Sequence, residues 1–199
     1  MWRKLFDVLF WLGACTYFGG MVMVGVIAPV VFATAAGSSM TMAGIVSPPL
    51  EMDRQVGGEI FGAILNRFAT VEGVSLTLLA IAIGGWILTY RFVRRSTWFI
   101  AVLWACLLSL TLFDTFAVRS RVWAMREEVR KTAPAHVANP NADWPERTRF
   151  DLLHKRSESL GHWKVYLLLA MVVTAAWRGG AEKKQTSGIR RMRVMTPVP

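Results

Sequence analysis

Cysteine is scarce in this chain, with only two among its 199 residues. Both Cys15 and Cys106 lie inside long apolar blocks, where a free thiol behaves as a small hydrophobic side chain. Two cysteines this far apart also lack the close spacing of zinc ligands. The sequence therefore gives no indication of a cysteine-based zinc site, and it says little about the redox compartment.

The short motifs of common enzyme classes are missing as well. The chain has no nucleophile motif, no glycine-rich phosphate loop after a strand, and no His-Glu-x-x-His pattern of a metallohydrolase. Each of these chemistries depends on a fixed spacing of particular residue types. The sequence thus gives little support to an enzymatic function.

Acidic residues are few in comparison with basic ones. Thirteen Asp and Glu stand against 23 Lys and Arg, so the formal net charge is +10. In a soluble protein this excess would suggest nucleic-acid binding. Here the basic residues mostly flank apolar blocks, where they anchor helix ends at lipid headgroups. We therefore expect the lipid bilayer as a partner and no nucleic acid.

Long apolar runs are what the chain has in abundance. Hydrophobic residues make up 54% of it, and the mean hydropathy is +0.39. A transmembrane helix needs ~20 such residues; the first block exceeds that length, and each of the other three joins an apolar run to a polar or charged end. We predict an all-α, integral membrane four-helix bundle in a single domain, residues 1–178. Its helices are expected at about 5–36, 59–90, 96–131 and 148–177, with loops at 37–58 and 132–147 and a basic, disordered tail at 179–199.

The first block has a second interpretation as a signal peptide, because Arg3 and Lys4 precede it and Ala33-Thr34-Ala35 resembles a cleavage site. The block is, however, about twice the ~7–15 residues of a signal h-region, which favours a membrane helix. Eleven Lys and Arg flank the helices on the side of the termini and eight on the other. This bias favours cytoplasmic termini, and we expect an integral protein of a bacterial cytoplasmic membrane.

Small residues form two faces that allow close helix packing. Gly13 and Gly20 share one face of the first helix, and Gly58 and Gly62 share one face of the second. Such faces serve packing within the bundle, and they also allow a homo-oligomer or contact with another membrane protein.

Ionisable residues are predicted to meet near one membrane face. The second helix enters the membrane at its polar end, the third leaves through Asp114, and the fourth enters through its charged half. Charged groups at this depth are costly, so they should face the bundle interior and pair. The predicted polar cluster consists of Arg67, Glu72, Asp114, Arg119, Asp151, His154, Glu158 and His162.

The fourth helix contributes a stripe to this cluster. At 100° per residue, Asp151, His154, Glu158 and His162 fall on one helical face, which we expect to be buried. The interpretation we favour is a paired ion network with neutral histidines. Two alternatives stay open: a metal or haem site at His154 or His162, and a transport or proton path. The two histidines lie ~12 Å apart along the axis, so one ion would need ligands from other helices to bind both.

One segment resembles a known family signature. The pattern Phe150-x-x-Leu153-His154-x-x-Ser157, continuing to Leu160 and into the last helix, is similar to that of the transmembrane-protein-205-like family. That family is a four-helix membrane domain of unknown function. The resemblance implies the same bundle here and assigns Phe150, Leu153, His154 and Ser157 to the family motif.

Two other stretches agree with this family. They are Gly20 with Ala28-Pro29-x-x-Phe32, and the run from Gly58 to Arg67. The likeness covers roughly residues 5–177, and it departs at Gly161, where the family pattern implies asparagine. More distantly, the bundle resembles the superfamily of the copper-resistance D protein and the haem-binding J-type protoporphyrinogen oxidase. This implies haem b or copper bound through His154, with electron transfer or metal handling, as the alternative to a protein without a cofactor.

Overall fold

The protein is described by a computed structural model that is helical almost throughout. The backbone is described for residues 2–37, 49–89, 95–139 and 143–195, and side chains for residues 2–34, 57–58, 60–89, 95–132, 139 and 143–178. No strand occurs in these ranges. The elements are α1 (Trp2–Gly37), α2 (Pro49–Thr89), α3 (Arg95–Phe113), a π-helical segment (Asp114–Arg119), α4 (Ser120–Ala138) and α5 (Pro145–Met195).

Four helical stretches are long and apolar enough to cross a membrane, which confirms the predicted all-α four-helix bundle. They are Trp2–Thr34, Ile60–Thr89, Arg95–Thr132 and Pro145–Arg178. The third is composite, since α3, the π-helical segment and α4 follow one another without a break. Helix α1 packs mainly along α2, and α5 packs against α3 and α4.

The outer surface of this bundle is as apolar as its interior. Phe10, Tyr17, Trp86 and Leu107 fill the core and are almost fully buried. Large apolar side chains such as Val26 and Val173 point outward. A soluble protein rarely exposes continuous apolar surface of this kind, whereas a lipid-facing bundle requires it.

Contacts among Asp7, Trp86, Thr97 and Arg178 place the start of α1, the end of α2 and the start of α3 beside Arg178 of α5, at one end of the bundle, here called the terminal end. The described residues at the end of α1, the start of α2, the end of α4 and the start of α5 lie toward the opposite end, called the loop end. Three exposed tryptophans lie at the terminal end, Trp2 of α1, Trp98 of α3 and Trp177 of α5, and further exposed tryptophans, Trp123 and Trp163, lie nearer the loop end. Tryptophan is enriched where a bilayer meets water, so the three rings at the terminal end indicate the level of that interface.

The helices extend further than the predicted boundaries. Helix α2 begins at Pro49, ten residues before the predicted start at 59, and the rest of the predicted first loop, 38–48, lies outside the described residues. Helix α4 continues past Pro134 to Ala138, and α5 begins at Pro145. Proline suits the first helical position, because that position needs no N–H donor.

The structure describes helix over most of the segment for which a disordered tail is predicted. Helix α5 continues to Met195 as one 51-residue helix; residues 196–199 lie outside the described part. The tail after Gly179 and Gly180 is rich in Ala, Glu, Lys, Gln, Arg and Met, which are good helix formers. Two glycines lower helix stability without preventing the helix from continuing.

The small-residue faces are used inside the chain. A Cβ at Gly13 would lie 3.0 Å from the backbone oxygen of Ser75, and one at Gly20 would meet the Phe68 ring. A Cβ at Gly62 would lie 2.7 Å from Trp123. These glycines therefore let α1 and α4 approach α2, and a homo-oligomer stays a prediction.

Candidate functional site

Four charged side chains meet in the bundle and form what we call the ion network: Glu72, Asp114, Arg119 and Lys164. Glu72 comes from α2, Asp114 and Arg119 from the π-helical segment, and Lys164 from α5. Two positive and two negative charges balance. Lys164 lies fourteen residues before Arg178, or roughly 21 Å along the axis at ~1.5 Å per residue. In a hydrocarbon core ~30 Å thick, the network is closer to the loop end.

Lys164 is the centre of this network. Its Nζ donates to Glu72 Oε1 at 2.9 Å and to Asp114 Oδ2 at 2.7 Å. The three side chains are only 2%, 2% and 4% exposed, in that order. An isolated charge at this depth would be costly. Placing one ammonium between two carboxylates reduces that cost, because each charge has a hydrogen-bonded partner of opposite sign.

The Tyr17 hydroxyl group of α1 is a further hydrogen-bond donor to Glu72. Tyr17 Oη donates to Glu72 Oε1 at 2.6 Å, and it lies 3.3 Å from Thr111 Oγ1 of α3. The Tyr17 side chain is fully buried. A buried phenol needs such a partner, so the network also attaches α1 to α2 and α3.

Arg119 closes the network on its more accessible side. Its Nη2 lies 3.1 Å from Asp114 Oδ2 and 3.4 Å from Glu72 Oε2, and its side chain is 18% exposed. Residues five positions apart point about 140° apart on an α-helix at 100° per residue. The π-helical segment has i→i+5 hydrogen bonds, which bring Asp114 and Arg119 to the same side. The local helix type therefore creates this ion pair.

Two polar atoms near the network keep unused hydrogen-bonding capacity. Among the described residues, Arg119 Nη1 and Ser75 Oγ are buried without a hydrogen-bond partner. Ser157 Oγ of α5 lies 3.5 Å from Asp114 Oδ1, at the limit of a hydrogen bond. Buried polar groups are normally paired. These atoms could therefore form further hydrogen bonds beside the four charged side chains.

Only part of the predicted polar cluster comes together. The structure joins Glu72, Asp114 and Arg119, as expected. Arg67 is exposed, and the α5 stripe faces outward: Asp151, His154, Glu158 and His162 are all exposed. The prediction that this stripe forms an inner wall was wrong. Asp151 pairs with Arg147 on its own helix, and His154 lies 3.3 Å from Glu158.

The face of α5 that concentrates ionisable groups is not the face that packs against the other helices. The inward face repeats every three or four residues with small, apolar and only occasional charged side chains. That face comprises Ser157, Gly161, Lys164, Leu168, Met171, Ala175 and Arg178. Lys164 was overlooked, although it is the last charge before the uncharged run that begins at Val165. Its position on an otherwise small and apolar face was the signal for burial.

A second, partly buried network lies at the terminal end and was not predicted. Arg178 of α5 places its guanidinium 3.7 Å from the centre of the Trp86 ring, and its Nη2 lies 3.2 Å from Asp7 Oδ1. Trp86 Nε1 donates to the same Asp7 oxygen at 3.0 Å. Arg178 Nη1 also lies 3.4 Å from Thr97 Oγ1 of α3. This terminal network therefore connects all four membrane-spanning stretches.

The placement of the histidines bears on the haem and copper alternatives. Within the described residues, no three His, Cys, Asp or Glu side chains are grouped so that they could hold a metal ion. His154 stacks on Phe150 at 5.8 Å on the outside of α5. Nothing in this placement favours a haem or copper site at His154 or His162, and that alternative stays a prediction. Of the family motif, Ser157 is the residue that touches the ion network.

Comparison with known proteins gives this chain no relative: no family model, no curated protein and no solved structure matches it. Membership of the transmembrane-protein-205-like family accordingly stays a prediction.

Proposed function

We propose that this chain is a multi-pass integral membrane protein with a non-enzymatic role, in which the ion network holds the helices in one arrangement. The bundle so fixed would present its surface to lipid or to another membrane protein. The observation that carries this proposal is the position of Lys164 between Glu72 and Asp114 at 2.9 and 2.7 Å, with all three side chains buried.

Charge balance supports a structural role for the network. With both carboxylates ionised and both bases protonated, the four charges sum to zero, so a further cation would leave uncompensated charge in a medium of low dielectric constant. A shifted helix register would separate the partners and bury unpaired ions. Breaking a buried pair costs about 3–5 kcal/mol. The network therefore favours one register of α2, the π-helical segment and α5 over neighbouring ones.

A double-mutant cycle tests this role. Lys164→Met and Asp114→Asn each leave the network with one unbalanced charge, and each should lower the unfolding free energy in detergent by about 3–5 kcal/mol. The double variant keeps Glu72 with Arg119 and is balanced. Its loss should be smaller than the sum of the two single losses by at least about 1 kcal/mol.

The matched control is Lys155→Met, which removes a lysine from the exposed face of the same helix. It should leave the melting temperature almost unchanged. Additive losses in the cycle, or a Lys164→Met variant as stable as Lys155→Met, would remove the proposal.

We also propose membership of the transmembrane-protein-205-like family. Support comes from the motif Phe150, Leu153, His154 and Ser157, and from the contact of Ser157 with Asp114. Homologous chains that carry the motif should retain Glu72, Asp114 and Lys164 together, since each residue needs the others to be buried. A set of homologues with an intact motif but an apolar residue in place of Lys164 would contradict the link.

A further inference from the structure

The net charge of the chain is concentrated in three segments of its sequence. Residues 1–7, 91–97 and 178–199 hold eleven Lys and Arg against two acidic residues, a net charge of +9. The rest of the chain holds twelve Lys and Arg and eleven acidic residues, a net charge of +1. Almost the whole excess of +10 therefore belongs to these segments, whose described parts begin or end helices at the terminal end.

The structure adds that acidic groups do little to offset this charge. Asp7 is one of the two acidic residues there, and its Oδ1 is held by Arg178 and by Trp86 Nε1. Lys4 and Arg95, in contrast, have exposed side chains at the ends of α1 and α3. The Asp7 side chain is 40% exposed and pairs with Arg178, whose side chain is 6% exposed. Its charge is therefore used by a buried guanidinium, whereas the Lys4 and Arg95 side chains face outward.

The exposed tryptophans place this charge at the level of lipid headgroups. Trp98 follows Thr97 and Trp177 precedes Arg178, and Thr97 contacts Arg178. The two rings, 55% and 78% exposed, thus lie at similar depth on different helices. Tryptophan rings of this kind occupy the membrane–water interface, and basic residues just beyond them reach the phosphate layer.

We propose that the terminal end of the bundle is a docking surface for anionic phospholipid headgroups, with Lys4 and Arg95 among the residues that bind them. A phosphate group on a negatively charged lipid matches a basic, tryptophan-rimmed surface with little competing acidic charge. The helical continuation of α5 to Met195 carries further basic residues of the sequence past this level. The surface is separate from the ion network, so either proposal can fail without the other.

The experiment measures which lipid the purified full-length protein retains. Phosphatidylglycerol and phosphatidylcholine compete in mixed detergent micelles, and native mass spectrometry counts the bound molecules. We expect phosphatidylglycerol to be preferred by the unmodified protein and the preference to disappear at high salt, because exposed charges are screened. In the double variant Lys4→Gln/Arg95→Gln, we expect phosphatidylglycerol binding about tenfold weaker, since each basic residue near an anionic surface adds attraction.

The control variant Arg121→Gln/Lys131→Gln removes two exposed basic residues from the opposite end of the bundle. Its phosphatidylglycerol preference should equal that of the unmodified protein. Equal loss in both variants, or no preference in the unmodified protein, would overturn the proposal. Displacement of the lipid by millimolar inorganic phosphate, or tight binding of a short RNA without lipid preference, would overturn it in favour of those ligands. Salt dependence in the unmodified protein provides a readout if a variant does not fold.

Discussion

Lys164 and Glu158 show at the residue scale that charge alone does not predict a role. Both lie on α5, six positions apart. Lys164 is 2% exposed with two carboxylate partners, whereas the Glu158 side chain is 59% exposed and meets His154. The two exposures differ because the side chains lie on different faces of α5. Lys164 shares its face with Leu168 and Met171, which are core residues. A buried charge survives there because its partners come from other helices.

Replacing a buried carboxylate should therefore cost much more than replacing an exposed one. We expect Glu72→Gln to lower the unfolding free energy in detergent by about 3–5 kcal/mol, because Lys164 and Arg119 would retain one carboxylate between them. Glu158→Gln should stay within about 0.5 kcal/mol of the parent protein. Chemical denaturation monitored by tryptophan fluorescence measures both. Similar losses in the two variants would mean that Glu72 is not buried as described.

Two features at the element scale determine where the network forms. The π-helical segment brings Asp114 and Arg119 together, and it also changes which face α4 presents after α3. Helix α1 contributes Tyr17 only because it lies close along α2. That approach depends on glycine at Gly13, where a Cβ would be 3.0 Å from the Ser75 backbone oxygen and 3.1 Å from the Leu78 Cβ. Neither of these atoms can swing aside as the end of a long side chain can.

Gly13→Ala should consequently push α1 away from α2. We expect a loss of about 1–3 kcal/mol, typical of overpacking, measured as the unfolding free energy in the same detergent. Gly25→Ala on the same helix is the control, because nothing lies within 4 Å of a Cβ there. It should match or slightly exceed the parent in stability, since alanine is the better helix former. A Gly13→Ala variant with the same unfolding free energy as the parent would show that α1 and α2 can accommodate the added methyl group.

At the scale of the whole molecule, two polar networks connect the helices at two depths of one bundle. The ion network centres on Lys164 and the terminal network on Arg178, roughly 21 Å apart along α5 at ~1.5 Å per residue. Between them lies an apolar layer that includes Leu79, Leu168 and Met171. Helices connected at two depths are restricted in tilt and in rotation, which suits a bundle with few polar contacts at mid-membrane.

Because the two networks share no partner, their losses should add. We expect Glu72→Gln combined with Arg178→Gln to cost the sum of the single variants within about 0.5 kcal/mol. Arg178→Gln alone loses the ion pair with Asp7 and the stacking on Trp86. Thermal unfolding of the four proteins in one detergent provides the comparison. A deviation of several times that margin would mean that the bundle transmits strain between the two networks.

The distribution of Lys and Arg does not decide the orientation of the bundle in the membrane, which stays a prediction. Arg67, Lys155, Arg156 and Lys164 are not among the eleven and the eight basic residues that flank the helices on the two sides. With these included, the terminal end has eleven Lys and Arg and the remainder of the chain twelve. The positive-inside rule counts Lys and Arg near short loops and gives little weight to acidic residues. Cytoplasmic termini therefore need a direct accessibility measurement.

Four apolar blocks and their polar ends were enough to predict the membrane helices, the bundle, and the meeting of Glu72, Asp114 and Arg119. This worked because hydrocarbon requires long apolar helices and because chain direction alternates at each crossing. The same reasoning missed Lys164, Tyr17 and Ser157. Their depth was visible in the sequence, but the angle at which each helix faces its neighbours was not.

The amino-acid sequence alone is therefore sufficient to predict four helices able to span a membrane, with charge near their ends, since the hydrocarbon imposes those constraints on any chain of this composition. Which of these charges are buried depends on how the helices pack. Pairing Lys164 with two carboxylates depends on helix rotation, on a π-helical segment and on close approach at glycines. These arise from packing between segments up to 92 residues apart, and no local pattern encodes them.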